Sequence, residues 1–201
     1  MRRLVLASGN PGKLKEIRAL LAPLSLEVVS QAELNIGEAE EPHATYLENA
    51  LAKARHASRA ANLPALADDS GLSVDALGGE PGVHSAYYAG GEGERAQRDR
   101  NNNAKLLAGL ANIDSREATF VSVIVLVRHA DDPEPLVAEG RWRGRIGRAP
   151  RGANGFGYDP LFIVAGRDVT AAELEPAEKN RISHRGQALE RLLALLRERA
   201  T

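Results

Sequence analysis

The chain of 201 residues contains no cysteine. That excludes a disulfide framework, thiolate nucleophiles and thiolate zinc sites. It also lacks an excess of either charge, since 26 Lys and Arg against 27 Asp and Glu leave a formal net charge of −1. Proteins whose main business is coating nucleic acid carry a marked basic excess, so no nucleic-acid partner is expected. Long apolar runs are missing too. The most apolar stretch, Val121 to Val127, contains Ser122 and is far too short to span a bilayer. At the start, Met1-Arg2-Arg3 precedes only Leu4-Val5-Leu6-Ala7, too short an apolar segment for a signal peptide. A soluble, cytoplasmic protein with no membrane partner is the expectation. No fixed-period repeat, low-complexity tract or dividing linker interrupts the chain, so a single domain over 1–201 is expected. The five histidines show no metal-ligand spacing.

What remains, 43% hydrophobic and 26% charged residues, is the balance of a globular protein with a real core. Leu4-Val5-Leu6 reads as a strand, followed by a helix with Leu14, Ile17, Leu20, Leu21 and Leu24 at helical spacing. A second short strand is expected near Leu26 to Val29. Residues 45–61 read as a helix, with capping-box spacing at Thr45 and Glu48 and an apolar stripe of Leu47, Ala50, Leu51, Ala54 and Ala57. Ala65-Leu66-Ala67 enters as a brief strand ending at Asp68-Asp69-Ser70-Gly71. Residues 95–110 read as a helix, Phe120 to Val127 as a central strand, and Leu136 to Ile146 as its partner. In that partner Arg141, Arg143 and Arg145 share the solvent face and Trp142 the other. Leu161 to Val164 is a further strand. Thr170 to Glu173 has capping-box spacing at a short helix, and Ser183 caps a last one with Leu189, Leu192, Leu193 and Leu196 inward. The class is α/β (α+β), around one mixed sheet.

Four stretches could carry chemistry. In Ala7-Ser8-Gly9-Asn10-Pro11-Gly12-Lys13, Asn10 can cap the helix and Pro11 suits its first position. Such a helix start, with a lysine, favours an anion but can equally be a plain turn. It is not a Walker A loop, because two residues, not four, separate Gly9 from Gly12, and Leu14 follows the lysine. The carboxylates of Glu38 to Glu41 and of Asp68-Asp69 can be plain solvated surface groups. The second pair, however, ends an apolar strand and suits Mg²⁺, which takes one or two carboxylates plus substrate phosphates. Adjacent strand residues point to opposite faces, so the two aspartates should do different jobs. The stretch Gly152-Ala153-Asn154-Gly155-Phe156-Gly157-Tyr158-Asp159-Pro160 could fit closely around a flat ligand, or be a tight hairpin with aromatics plugging the core. Lys179 to Gly186 brings His184 and Arg185 to a helix start as hydrogen-bond donors, or is a solvated basic turn.

Taken together, these motifs resemble the inosine triphosphate pyrophosphatase family, enzymes of non-standard purine nucleoside triphosphates. The matching residues are Ser8-Gly9-Asn10 with Gly12-Lys13, Glu48-Asn49-Ala50 with Lys53-Ala54, and Asp68-Asp69-Ser70-Gly71-Leu72. Leu77-Gly78-Gly79 with Pro81-Gly82, Gly155 to Pro160, and Glu178-Lys179 with Ile182-Ser183-His184-Arg185 follow in family order. The resemblance implies that Ser8, Gly9, Asn10, Pro11, Gly12, Lys13 and Lys53 hold the triphosphate. It implies Asp69 as general base and, with Glu40 or Glu41, as ligand of a Mg²⁺ cofactor. Ser70, Phe156, Gly157, Tyr158, Asp159, Lys179, His184 and Arg185 would hold nucleotide and base. An elongated mixed sheet flanked by helices, two lobes with an active-site cleft between them, and a homodimer are implied as well. Two departures are Tyr87, where the family often has arginine, and Pro42-His43 in place of Thr-Gly. The expected reaction is Mg²⁺-dependent attack of water on the α-phosphorus of ITP, dITP or XTP, giving monophosphate and pyrophosphate. A kinase or ATPase and a nucleic-acid-binding module are the alternatives.

Overall fold

The computed structural model of the chain describes residues 3–22 and 26–200. Six strands form one mixed sheet: β1 (Arg3–Leu6), β2 (Glu27–Ser30), β3 (Ala65–Val74), β4 (Glu117–Val127), β5 (Leu136–Ile146) and β6 (Phe162–Val164). Their order is β2-β1-β3-β4-β5-β6. β1 runs parallel to both β2 and β3, with Val5 opposite Val29 and Ala65, whereas β6 is antiparallel to β5. Five α-helices accompany them: α1 (Pro11–Leu21), α2 (Tyr46–Ala61), α3 (Arg95–Gly109), α4 (Pro176–Ile182) and α5 (His184–Ala200). This is the expected α/β class with a mixed sheet.

Local signals explain most boundaries. Asn10 Oδ1 accepts the Lys13 backbone N–H at 3.1 Å, and Pro11 takes the first turn, where its missing N–H costs nothing. Thr45 caps α2 by accepting the Glu48 N–H at 3.2 Å. Along β5, Trp142 and Ile146 are buried while Arg141, Arg143 and Arg145 face solvent. In β4, all eight residues from Phe120 to Val127 are buried, as an interior strand requires.

Three expectations change. The strand expected at Ala65 to Ala67 continues to Val74, so Asp68 and Asp69 lie inside it; long-range ion pairs, invisible to local pattern, allow the strand to bury them. Leu47 is 44% exposed, outside the α2 stripe. Asn49 turns inward instead, accepting the His43 N–H at 3.0 Å and donating to its carbonyl at 3.1 Å. The helix expected after Thr170 is a single 3₁₀ turn, Ala171–Glu173, and α4 follows as a separate helix. Leu24 lies outside the described residues.

The chain divides into two compact units. The first comprises Met1–Asp69, Ser122–Gly140 and Arg185–Thr201, the second Ser70–Val121 and Arg141–His184. The core of the first gathers Leu4, Leu6, Ile17, Leu66, Ile124 and Leu189. That of the second gathers Leu72, Leu106, Phe120, Trp142, Ile146 and Phe162. Among the described residues no helix is long and apolar enough to cross a membrane.

Candidate active site

In the first unit, β3 delivers two neighbouring carboxylates to opposite faces of the sheet, and each meets its own cations. Asp68 pairs with Lys13 Nζ at 2.8 Å and with Arg185 Nη2 at 3.2 Å, and it accepts a hydrogen bond from the Ser122 hydroxyl. The Asp68 side chain is fully buried. Burial alone would raise its pKa, but Arg185 and Lys13 outweigh it and hold the carboxyl well below the usual carboxylate range. Arg185 also pairs with Glu16 on α1. This guanidinium is buried and committed to two carboxylates of the first unit.

Asp69 is placed differently. Its Oδ1 accepts from Lys53 Nζ at 2.8 Å, and the same ammonium lies 2.7 Å from Glu41 Oε2. Its Oδ2 is buried and has no hydrogen-bond partner among the described residues. Burial raises the Asp69 pKa, and the opposing pull of Lys53 and Lys13 does not cancel that rise. Lys53 is shifted up, because Asp69 and Glu41 overcome the burial that disfavours its charge. Lys13 is shifted down, because burial exceeds what Asp68 returns. Two adjacent carboxyls thus have opposite shifts, one locked as an anion and one made more basic.

The turn before α1 is tied by its own side chains. The Asn10 N–H donates to Ser8 Oγ at 3.2 Å, and Lys13 Nζ also donates to the Asp68 carbonyl at 3.2 Å. Gly9 matters for space, since a Cβ there would stand 2.2 Å from Glu38 Oε1. Gly12 is half-buried and Pro11 exposed. Glu40 is exposed and makes no ion pair among the described residues, so Glu41 is the acidic-cluster member that joins Lys53 and Asp69.

In the second unit the residues from Gly155 to Asp159 form a braced turn. Asp159 Oδ2 accepts the Phe156 N–H at 2.8 Å and pairs with Lys179 Nζ at 2.7 Å. Gly155 has φ +76°, and a Cβ there would lie 2.1 Å from that same carboxylate. From α3, Asp99 accepts the Gly157 N–H at 3.0 Å and Asn103 donates to the Gly157 carbonyl at 2.9 Å. Tyr158 is buried with its hydroxyl donating to the Ser85 carbonyl at 2.8 Å, so it plugs the core, while Phe156 stays half-buried. His184 is buried, its ring stacked on Phe120 at 4.8 Å and 10°. Ser70 is half-buried on β3.

The structure therefore gathers Lys53, Asp69 and Glu41, and separately Phe156, Asp159 and Lys179. It assigns Tyr158 and Arg185 internal partners. Asp99 and Asn103 were not singled out in the sequence; their only signal is i,i+4 spacing on the polar start of α3.

Two lysines and a buried, half-partnered carboxylate thus stand together on an α/β frame. The chain matches the Ham1 family over residues 4–195. It is 61% identical to the dITP/XTP pyrophosphatase of Ralstonia nicotianae, over 98% of both chains. It is 60% identical to that of Burkholderia pseudomallei, over 98% of this chain and 94% of that one. The structure of a HAM1 protein from Coxiella burnetii matches with a TM-score of 0.89 and 48% identity, covering 98% of this chain and 100% of that one. A nucleoside-triphosphatase / dITP/XTP pyrophosphatase from Mycobacterium abscessus matches at a TM-score of 0.73 and 46% identity, over 95% and 98%. The chain belongs to the Ham1 family.

Proposed function

We propose that this protein hydrolyses the non-standard purine nucleoside triphosphates ITP, dITP and XTP to monophosphate and pyrophosphate, with Asp69 as general base. The names of its close relatives support the substrate class. The observation that carries the chemistry is Asp69 itself: one oxygen held by Lys53, the other buried and without a hydrogen-bond partner among the described residues. A carboxylate with a raised pKa and an open lone pair is suited to orienting a water and taking its proton. Phosphoryl-type transfer needs positioning and charge neutralisation more than covalent catalysis. Lys13 and Lys53 offer two ammonium groups, and the turn from Ser8 to Gly12 seats the phosphates at the start of α1. A triphosphate arriving there competes with Asp68 for Lys13 and with Glu41 for Lys53.

The donor set also fits Mg²⁺. Hard oxygens are offered by Asp69 Oδ2 and by Glu41, and this ion takes one or two carboxylates with substrate phosphates. Among the described residues no cluster of three or more His, Asp or Glu side chains is gathered for a metal. Asp69 and Glu41 would hold the ion, which when bound makes water more acidic and offsets phosphate charge.

For the base, Phe156 offers a half-buried ring for stacking and Lys179 a cation 4.9 Å from its centre. A six-oxo group accepts from such a donor and the six-amino group of adenine does not, leaving a donor unpaired at a cost of about 1–3 kcal/mol. Arg185, expected to serve the same end, is held by Asp68 and Glu16 as Lys179 is by Asp159, so either donor reaches the base only by sharing itself with a carboxylate. A cytoplasmic homodimer belongs to the same proposal, as the family resemblance implies; the mass in solution tests it. Side-by-side turnover of ITP, XTP, GTP and ATP with Mg²⁺ tests the substrate reading. ITP and XTP should lead, and equal rates on all four would refute it.

A further inference from the structure

Gly157 follows the Phe156 ring at φ +63°, a left-handed conformation with open space where a Cβ would stand. A glycine so placed can rotate either of its peptides at little cost, and the ring before it would turn with them. Both peptides are held from outside the turn. On α3, Asp99 Oδ2 accepts the Gly157 N–H at 3.0 Å. One helical turn later, Asn103 Nδ2 donates to the Gly157 carbonyl at 2.9 Å. Asp159 Oδ2 accepts the Phe156 N–H at 2.8 Å, so the backbone of the ring residue is tied on both flanks. Asn103 does its part at a cost to stability, because its Oδ1 is buried with no hydrogen-bond partner among the described residues. An orphaned buried amide oxygen is unfavourable, which sets what Asn103 Nδ2 holds above any gain in stability.

We propose that Asp99 and Asn103 are positioning residues for base recognition, a two-point bracket on Gly157 that aims the Phe156 ring before substrate arrives. The proposal rests on the reading of Phe156 as the base platform. Neither side chain touches the base; both act through the backbone of one glycine. A ring already aimed spares the substrate the ordering of that side chain and its loop, and the saving appears as tighter binding of the base. The phosphate seat at the start of α1 has no part in the bracket, so affinity for phosphate alone does not depend on it. At position 99 the acceptor matters and its charge does not, since the bond is to a backbone N–H.

The test is titration calorimetry on the full chain, well below the melting temperature of each variant. Inosine monophosphate probes the base site and inorganic triphosphate the phosphate seat. Asp99→Ala and Asn103→Ala should each weaken the monophosphate about fivefold relative to triphosphate. The double variant should lose little more than either single one, because both contacts hold the same glycine. Asp99→Asn keeps an acceptor and should stay within about twofold of the parent. Phe156→Ala should weaken the monophosphate at least as much as the double variant. Unchanged monophosphate affinity in both alanine variants, with a loss in Phe156→Ala, would overturn the bracket and leave the platform standing. No loss in Phe156→Ala would overturn the platform and the bracket with it. Losses that fall equally on both probes would mark a merely structural role, and a loss in Asp99→Asn equal to that in Asp99→Ala would mark an effect of charge; either overturns the bracket.

Discussion

Asp68→Asn should cost the protein more stability than any other single isosteric change in the first unit. The side chain is fully buried and holds two cations, the largely buried Lys13 at 2.8 Å and the buried Arg185 at 3.2 Å. Asparagine keeps the shape and the hydrogen bond with Ser122 but removes the charge, leaving both cations in low dielectric with fewer counterions. Breaking a buried ion pair from one side costs about 3–5 kcal/mol, against a total stability of about 5–15 kcal/mol for a folded domain. At about 2–4 °C per kcal/mol for a chain of this size, the melting temperature should fall by about 6–20 °C. Differential scanning calorimetry near neutral pH reads this directly. The pH dependence gives a second reading. The folded carboxyl is held below its unfolded value, so its ion pairs add stability above about pH 4 that drains as pH falls further. That acid-side loss should shrink in Asp68→Asn. A fall of less than about 2 °C, with an unchanged acid limb, would refute the view that Asp68 is the anchor of this network.

Its neighbour should behave in the opposite way. Asp69→Asn removes a carboxylate that burial already disfavours, so the melting temperature should stay near or above the parent's, while turnover falls about 10²–10⁴-fold as for loss of a general base; substantial remaining activity would remove Asp69 from that role. Gly155→Ala places a Cβ 2.1 Å from a carboxylate fixed by Lys179 and the Phe156 N–H, at φ +76°; it should destabilise by on the order of 3 kcal/mol and be read as a lower melting temperature. Thr45→Ala removes the cap on the Glu48 N–H and should cost about 1 kcal/mol, measurable by denaturant titration, with activity largely kept.

Signals that act over one helical turn or one pleat were legible in the sequence. The Asn10 and Thr45 caps, the alternation of Arg141, Trp142 and Arg143, and the buried run from Phe120 to Val127 all appear where local chemistry places them. The expectation that Asp68 and Asp69 do different jobs was legible as well, since each meets its own cation, Lys13 or Lys53. Contacts between distant segments were not legible. Nothing near Asp68 announces Arg185, 117 residues away, and so the strand seemed to stop where the charges began. The same distance hid that Arg185 is a counterion and that Tyr158 reaches Ser85. The short helix α4 did carry a readable start, Pro176 at its first position with Glu178 in the first turn, and was overlooked because seven residues give the apolar period too little length.

The central claim is a reaction that cleaves between the α- and β-phosphates of a non-standard purine nucleotide. Product analysis by phosphorus NMR after incubation with ITP and Mg²⁺ tests it most directly. The account predicts inosine monophosphate and pyrophosphate in equal amounts. Inosine diphosphate with orthophosphate would contradict it and point to an ATPase-like enzyme.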